Sequence, residues 1–196
     1  MRSTFLLAIV VVFGLINVNA QKNLEFGIKG GLNVATITGA SSEDSGYIID
    51  LHFGVLAELS LSDKFSFQSE LIYSLQGPAP IQNQDNQAAG LEYLNLPLMG
   101  KYYIAKGFSL EIGPQIGFLL SAKNDDTDAS INVKDLYKTL DFGVNFGLGY
   151  KLDNGLHFGV RYNLGLSNIN DDNGFSDKYR NSVFQLSIGY FFTKKK

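Results

Sequence analysis

Large apolar residues occupy every second position in eight stretches between Leu24 and Phe192, and the positions between them hold Gly, Ser, Asn, Gln or a charge. A period of two is that of a β-strand with one apolar and one polar face. In the clearest stretch, Phe142, Val144 and Phe146 alternate with Gly143 and Asn145. The predicted strands are 24–36, 49–61, 65–75, 91–104, 108–121, 140–152, 156–167 and 183–192.

The connections between these strands alternate in length. Three are short, at 62–64, 105–107 and 153–155, and the four others, at 37–48, 76–90, 122–139 and 168–182, are long and polar. Strands of about 9–13 residues match the length that a tilted membrane strand needs, and an even strand count is usual for single-chain bacterial barrels. The pattern predicts an all-β, eight-stranded, antiparallel, up-and-down transmembrane β-barrel with long loops outside and both termini in the periplasm.

The first twenty residues have the features of a secretion signal. Arg2 provides a positive charge, residues 5–16 form an apolar run too short to span a bilayer as a helix, and Val18-Asn19-Ala20 resembles a cleavage site. We therefore expect a cleaved signal peptide at 1–20, export by the Sec route and a barrel domain at 21–196. An uncleaved N-terminal anchor is the alternative.

Charge and composition narrow the classes of function. Removing residues 1–20 removes Arg2 and no acid, so 16 basic residues become 15 against 19 acidic ones, a net charge of −4. That balance argues against nucleic acid as a partner. The chain has no cysteine and hence no disulfide framework. After residue 20 no apolar run reaches the roughly 18 residues of a membrane helix, so membrane insertion would require a closed barrel.

The composition of the polar face indicates which face points outward. It is rich in glycine, which suits the narrow interior of an eight-stranded barrel better than a solvent-facing surface. The strand pattern directs four acids and four bases into that interior, and we expect them to form a structural network of ion pairs that plugs it: Lys29, Glu58, Glu70, Lys101, Glu111, Asp141, Lys151 and Arg161. A proton or ion pathway is the alternative role for these charges.

The sequence provides no pattern for catalysis or for a cofactor. Its two histidines, His52 and His157, fall near opposite ends of the predicted barrel, and no Ser/His/Asp cluster lies at one rim. The acidic stretches 125–128 and 170–174 could offer oxygen ligands to Ca²⁺, but they lack EF-hand spacing and suit solvated turns better. There is no Cys/His metal pattern. We expect no catalytic residues, no metal and no cofactor.

Several short motifs resemble those of a known family. The run Leu-Glu-Tyr-Leu-Asn-Leu-Pro-Leu at 91–98 resembles the YLNIPL motif of PorT-like outer-membrane β-barrel proteins, and the resemblance extends over about 21–192. Further similar segments are 147–150, 161–166 and 189–192. The resemblance implies an eight-stranded barrel of the OmpX/OmpA type in the bacterial outer membrane. Some members of the family take part in protein secretion, and the motif defines no catalytic residues.

The last strand resembles the signal by which the barrel-assembly machinery recognises outer-membrane proteins, although Thr193-Lys194-Lys195-Lys196 follows its final aromatic residue, Phe192. The expected partners are outer-membrane lipids, this machinery and a protein bound at the outer loops. We expect a structural or loop-mediated binding role. The alternatives are an accessory part of a secretion or transport complex, a lipid-modifying or proteolytic barrel enzyme, and a soluble barrel with an apolar ligand inside.

Overall fold

The computed structural model describes residues 24–39, 46–77, 89–126, 129–171 and 178–192. The expected signal peptide at 1–20, the tail at 193–196 and parts of the four long connections lie outside these ranges. The strands are β1 (Leu24–Thr38), β2 (Ile48–Ser60), β3 (Phe65–Gln76), β4 (Ala89–Ala105), β5 (Phe108–Asp126), β6 (Ala129–Asn132), β7 (Leu140–Lys151), β8 (Leu156–Gly165) and β9 (Arg180–Phe191).

Eight of the nine strands close into an antiparallel barrel. Each strand pairs with its neighbour in the chain, β5 pairs with β7 across the short β6, and β9 pairs with β1 to close the ring. Closure leaves no free edge along the barrel wall, because each of the eight strands pairs with a neighbour on both sides. The prediction of an eight-stranded up-and-down barrel is confirmed. Within the described residues, no helix has the length and apolar character needed to cross a membrane.

The main departure from the sequence prediction is the short strand β6, which lies inside the connection predicted at 122–139. β5 continues to Asp126, and β6 folds back on it with Lys123 opposite Asn132. Apolar alternation ends at Leu120, so this polar hairpin extension carries no period-two signal. Smaller shifts move the start of β9 to Arg180 and the end of β8 to Gly165.

The apolar face points outward around the whole barrel. Ile28 is 50% exposed and Phe142 is 48% exposed, whereas Lys101 and Gln68 on the opposite face are 1% and 0% exposed. The soluble-barrel alternative required an apolar interior, and the polar interior contradicts it. Exposed apolar side chains that continue around a closed sheet are typical of a surface covered by lipid.

The short turns at one end depend on glycine. Gly107 and Gly155 adopt positive φ values of 76° and 91° in the turns between β4 and β5 and between β7 and β8. An L-residue with a Cβ is strained in this conformation. In the second turn, the Leu152 amide donates to the carbonyl of Leu156 over 2.8 Å. The sequence Asp153-Asn154-Gly155 therefore forms the tight hairpin that it predicts.

Candidate functional site in the barrel lumen

The centre of the lumen is held by an arginine that joins two carboxylates. The Arg161 guanidinium donates to Glu70 through both terminal nitrogens, with Nη1–Oε2 at 2.9 Å and Nη2–Oε1 at 2.7 Å. Its Nη2 also donates to Oε2 of Glu111 over 3.2 Å. Lys29 also contacts Glu70, with Nζ–Oε2 at 3.0 Å. Glu70 therefore lies between two cations, and Arg161 lies between two anions.

Lys101 extends this series of ion pairs toward the end of the barrel that carries the short turns. Lys101 Nζ lies 3.3 Å from Oε1 of Glu111 and 2.9 Å from Oε2 of Glu58. Lys151 Nζ lies 3.9 Å from Oε1 of Glu58 and also contacts the carboxylate of Glu25. The lumen thus holds a continuous series of alternating charges with no net charge, which we call the charge chain: Lys29, Glu70, Arg161, Glu111, Lys101, Glu58, Lys151 and Glu25.

Neutral side chains complete the hydrogen bonding of the charge chain. Gln68 donates through Nε2 to Glu70 over 2.5 Å and accepts from Lys101 through Oε1 over 3.0 Å. The Tyr103 hydroxyl donates to Glu58 Oε1 over 2.6 Å. Burying charges is tolerable only when ion pairs and further hydrogen bonds replace the water that was lost. The charge chain meets that requirement, which makes removal of any one member costly.

The structure brings together seven of the eight residues that the sequence assigned to the lumen network, and it places the eighth, Asp141, apart from them. Asp141 lies opposite Gly117 of β5, whereas Glu111 lies opposite Gly147, six positions farther along β7. At about 3.3 Å per residue, this register separates Asp141 from Glu111 by roughly 20 Å along the strand. Asp141 instead accepts hydrogen bonds from Ser167 Oγ at 2.6 Å and Asn181 Nδ2 at 2.8 Å.

Glu25 belongs to the charge chain and was absent from the residues selected from the sequence. A signal for it exists, because Glu25 is in phase with Lys29 on the inward face of β1. Together with Glu58, Lys151 and Asp63 it lines an open cavity of about 400 Å³ at the end with the short turns. The charge chain forms the inner wall of this cavity.

A serine, a histidine and an asparagine also meet in the lumen. His52 Nδ1 lies 2.8 Å from Asn33 Oδ1, and His52 Nε2 lies 2.9 Å from Ser187 Oγ. This order of partners is that of a hydrolytic triad, and sequence reasoning missed it because Ser187 is 135 positions away from His52. Since Asn33 Oδ1 only accepts, Nδ1 carries the proton and the serine hydroxyl donates to Nε2.

The surroundings of this trio do not suit catalysis. An acyl transfer needs room for a carbonyl beside Oγ and free N–H donors for the oxyanion. Asn33 and His52 are fully buried, and Asn33 Oδ1 is shared with Gln185 Nε2 at 2.9 Å. Ser187 is paired in the sheet with Gly31 on one side and Gly159 on the other. We interpret the trio as a hydrogen-bond chain that links β1, β2 and β9.

The second histidine lies apart from this trio. His157 Nε2 is 3.9 Å from Oε1 of Glu111, and its ring meets Phe191 edge-on with centroids 5.7 Å apart. The two histidines therefore have different partners, and they do not share a site among the described residues. Among the described residues there is also no group of three or more His, Cys, Asp or Glu side chains placed to hold a metal ion.

The opposite end of the lumen holds buried apolar side chains, which we call the outer cluster because this end carries the long connections that the sequence analysis expects to face outward: Ile37, Leu91, Tyr93, Leu119, Ala122 and Ile169. Ile169 comes from the connection between β8 and β9, and Val133, Tyr137 and Tyr179 pack against the cluster. Burial raises the pKa of the Tyr137 phenol, and the neighbouring Tyr179 adds to the effect. The outer cluster joins two long connections to the barrel wall and closes this end.

Comparisons with known proteins agree with this architecture. Residues 19–171 match the family model described as outer membrane protein beta-barrel domain. The fold is similar to Neisserial surface protein A, with a TM-score of 0.54 and 13% identity over 84% of this chain and 96% of that one. It is also similar to Ail, the attachment invasion locus protein of Yersinia pestis, with a TM-score of 0.50 and 13% identity over 86% and 98% of the two chains. A comparison with curated protein sequences finds no match.

Proposed function

The chain belongs to the outer membrane protein β-barrel domain family, and from that premise we propose that it is a closed surface scaffold that acts through its loops rather than through its lumen. It is a β-barrel protein of the bacterial outer membrane, with its apolar face in contact with lipid. The observation that supports the proposal is the filling of the lumen. The charge chain runs from the centre of the lumen to the end with the short turns, and the outer cluster lies at the opposite end.

The alternating loop lengths support one orientation. In this proposal the three short turns and both termini face the periplasm, and the four long connections face outward. A signal peptide at 1–20 would direct export through the Sec route, and the last strand, with the aromatic Phe192 directly after it, would be recognised by the barrel-assembly machinery. Loops on a rigid scaffold are where such proteins usually hold their binding residues, so a protein partner would bind there.

We propose a non-enzymatic role. In the arrangement closest to a catalytic one, Ser187–His52–Asn33, the asparagine and the histidine are buried, and Ser187 is paired in the sheet with Gly31 and Gly159. The acidic connection segments 125–128 and 170–174 remain candidates for Ca²⁺, and they fall partly outside the described residues. In our proposal they serve as solvated turns.

The alternative is an accessory role in a secretion or transport complex, which the resemblance to PorT-like proteins implies. In the structure, the motif at 91–98 supplies inward-facing residues. Leu91 and Tyr93 belong to the outer cluster, and Asn95 is buried. The motif therefore contributes to packing inside the barrel. Its resemblance to the motif of PorT-like proteins indicates a shared architecture rather than a shared partner surface. A stable complex with secretion proteins in native gels of solubilised outer membranes would favour the alternative.

Conductance across a planar lipid bilayer tests the proposal. We expect the wild-type barrel to insert and to give no sustained ion current, because its lumen is filled. The double variant Glu58→Ala, Lys101→Ala is the control, since it shortens two side chains that fill the lumen and should increase any current. Sustained current through the wild type would show that the lumen, rather than the loops, carries the function.

A further inference from the structure

A groove of about 540 Å³ crosses the outward face of the barrel wall between two rows of large apolar side chains. The first row runs across β1, β9, β8 and β7 in the order Leu32, Leu186, Val160 and Leu148. The second row runs across β9, β8, β7 and β5 in the order Ile188, Phe158, Tyr150 and Phe108. We call the space between the two rows the wall groove. Its volume lies within the range of sites for small molecules.

The floor of the wall groove is backbone. Between the two apolar rows lies a third row made of Gly31, Ser187, Gly159 and Gly149. Three of these residues have no side chain, and the Ser187 hydroxyl lies 2.9 Å from His52 Nε2 on the lumen side. The N–H and C=O groups of a closed barrel are used in the strand ladders, so the floor offers an apolar surface as well.

The wall groove runs obliquely from the end with the short turns into the middle of the apolar belt. At one end, Phe108 is the first residue of β5. At the other end, Gly31 lies seven residues after Leu24, the first residue of β1. That difference corresponds to roughly 23 Å along the strand at about 3.3 Å per residue. The groove therefore has the direction of a chain that enters at the rim and ends in the middle of the belt.

The shallow end of the wall groove carries polar groups. A Cβ built on Gly107 would lie 3.5 Å from Cε2 of Tyr150, so the Tyr150 ring lies beside the turn between β4 and β5. The neighbouring Lys106 side chain is 82% exposed and pairs with Asp153, also exposed. Such exposed pairs contribute little and leave the ammonium group free to exchange partners. Tyrosine and lysine are side chains that meet lipid head groups at a membrane interface.

We propose that the wall groove binds one acyl chain of a phospholipid, with the head group at the rim beside Tyr150 and Lys106. The groove is continuous with the lipid-facing belt, so a lipid reaches it without crossing a polar surface. A chain in the groove contacts both apolar rows and the floor, whereas a flat wall offers contacts on one side only. The site lies on the outer wall and does not depend on the proposed role of the loops.

Native mass spectrometry of the full-length barrel in detergent tests the proposal, with dipalmitoyl phosphatidylglycerol as the probe. We expect the wild type to bind the first lipid about tenfold more tightly than the second. Val160→Trp places an indole between the two rows and should weaken binding of the first lipid about tenfold. Val55→Trp is the matched control, because Val55 is also exposed on the outward face but lies on β2, outside the groove. It should bind the lipid as the wild type does.

A second variant keeps the test decisive if Val160→Trp fails to fold, which the mobility of unboiled samples on gels reports. Ile188→Trp fills the groove from the second row and should weaken the first lipid in the same way. A broad distribution of bound lipids that is equal in the wild type and the variants would overturn the proposal, since the wall would then have no preferred site. So would an equal loss of lipid in Val55→Trp and Val160→Trp.

Discussion

Arg161 and Glu70, 91 positions apart in the sequence, form a two-pronged ion pair at the centre of the barrel, with nitrogen–oxygen distances of 2.9 and 2.7 Å. This geometry lets the planar guanidinium satisfy both carboxylate oxygens at once. Because Glu111 and Lys29 extend the pair on either side, the strands β1, β3, β5 and β8 are joined through the lumen as well as through the sheet.

Removal of the central cation should destabilise the barrel strongly. Arg161→Met leaves Glu70 and Glu111 buried with one cation fewer each, and we expect a loss of about 3–5 kcal/mol in the free energy of unfolding. The measurement is reversible urea unfolding in detergent or lipid. The control is Lys106→Ala, which breaks the fully exposed pair with Asp153 and should leave the midpoint unchanged. Equal effects of the two variants would contradict the account of the charge chain.

Glycine at position 149 should be required by the lumen packing. A Cβ there would lie 2.7 Å from Ser109 Oγ and 3.0 Å from His157 Nε2, and would also collide with the Glu111 carboxylate. We expect Gly149→Ala to lower the unfolding midpoint, since overpacking of this kind costs about 1–3 kcal/mol. Thermal unfolding followed on gels of unboiled samples measures it. A midpoint equal to that of the wild type would show that this part of the lumen is loosely filled.

Loss of the buried Ile169 side chain from the outer cluster should detach the connection between β8 and β9 from the barrel. Ile169→Ala removes a fully buried side chain, with an expected cost of about 2–5 kcal/mol that falls mainly on this end of the barrel. We expect faster protease cleavage of the connection in reconstituted vesicles, with the barrel wall intact. Leu166→Ala, which removes an exposed side chain nearby, is the control and should leave the cleavage rate unchanged.

A charge placed on the outward face should oppose membrane insertion. Leu186 lies in the middle of β9 and is exposed, so Leu186→Arg would direct a guanidinium into lipid. Near the bilayer midplane this costs about 2–4 kcal/mol, measured as the free energy of folding into vesicles. Leu136→Arg, in the connection between β6 and β7, is the comparison and should be neutral. A neutral effect at Leu186 would contradict the assignment of this face to lipid.

The period-two pattern was sufficient to predict the strands and their faces, because alternation is a local property of each strand. It assigned Lys29, Glu58 and Arg161 to the interior, where the structure has them. It could not assign their partners, since pairing across the lumen depends on the relative register of strands far apart in sequence. That is why the alternation groups Asp141 with the charge chain, whereas Glu25, in phase with Lys29, is a residue that the alternation could have assigned to the interior.

Two further features of the structure could not be predicted from the sequence, for similar reasons. The hairpin of β5 and β6 is built from Lys123, Asn124 and Asn132 outside the apolar belt, where no alternation marks a strand. The contact of Ser187 with His52 depends on closure of the barrel, which brings β9 beside β1 and within reach of β2. Neither the spacing nor the composition of these residues distinguishes them from ordinary polar positions.

The most direct test of the central claim is a spin-label scan along β9 in lipid vesicles. The chain has no cysteine, so single cysteines can be introduced and labelled at 184, 185, 186, 187 and 188 without background. We expect collisions with dissolved oxygen to alternate, high for labels at Phe184, Leu186 and Ile188, which face lipid, and low for those at Gln185 and Ser187, which face the filled lumen. The opposite phase, or the absence of alternation, would contradict a barrel with its apolar face in the membrane and its charges inside.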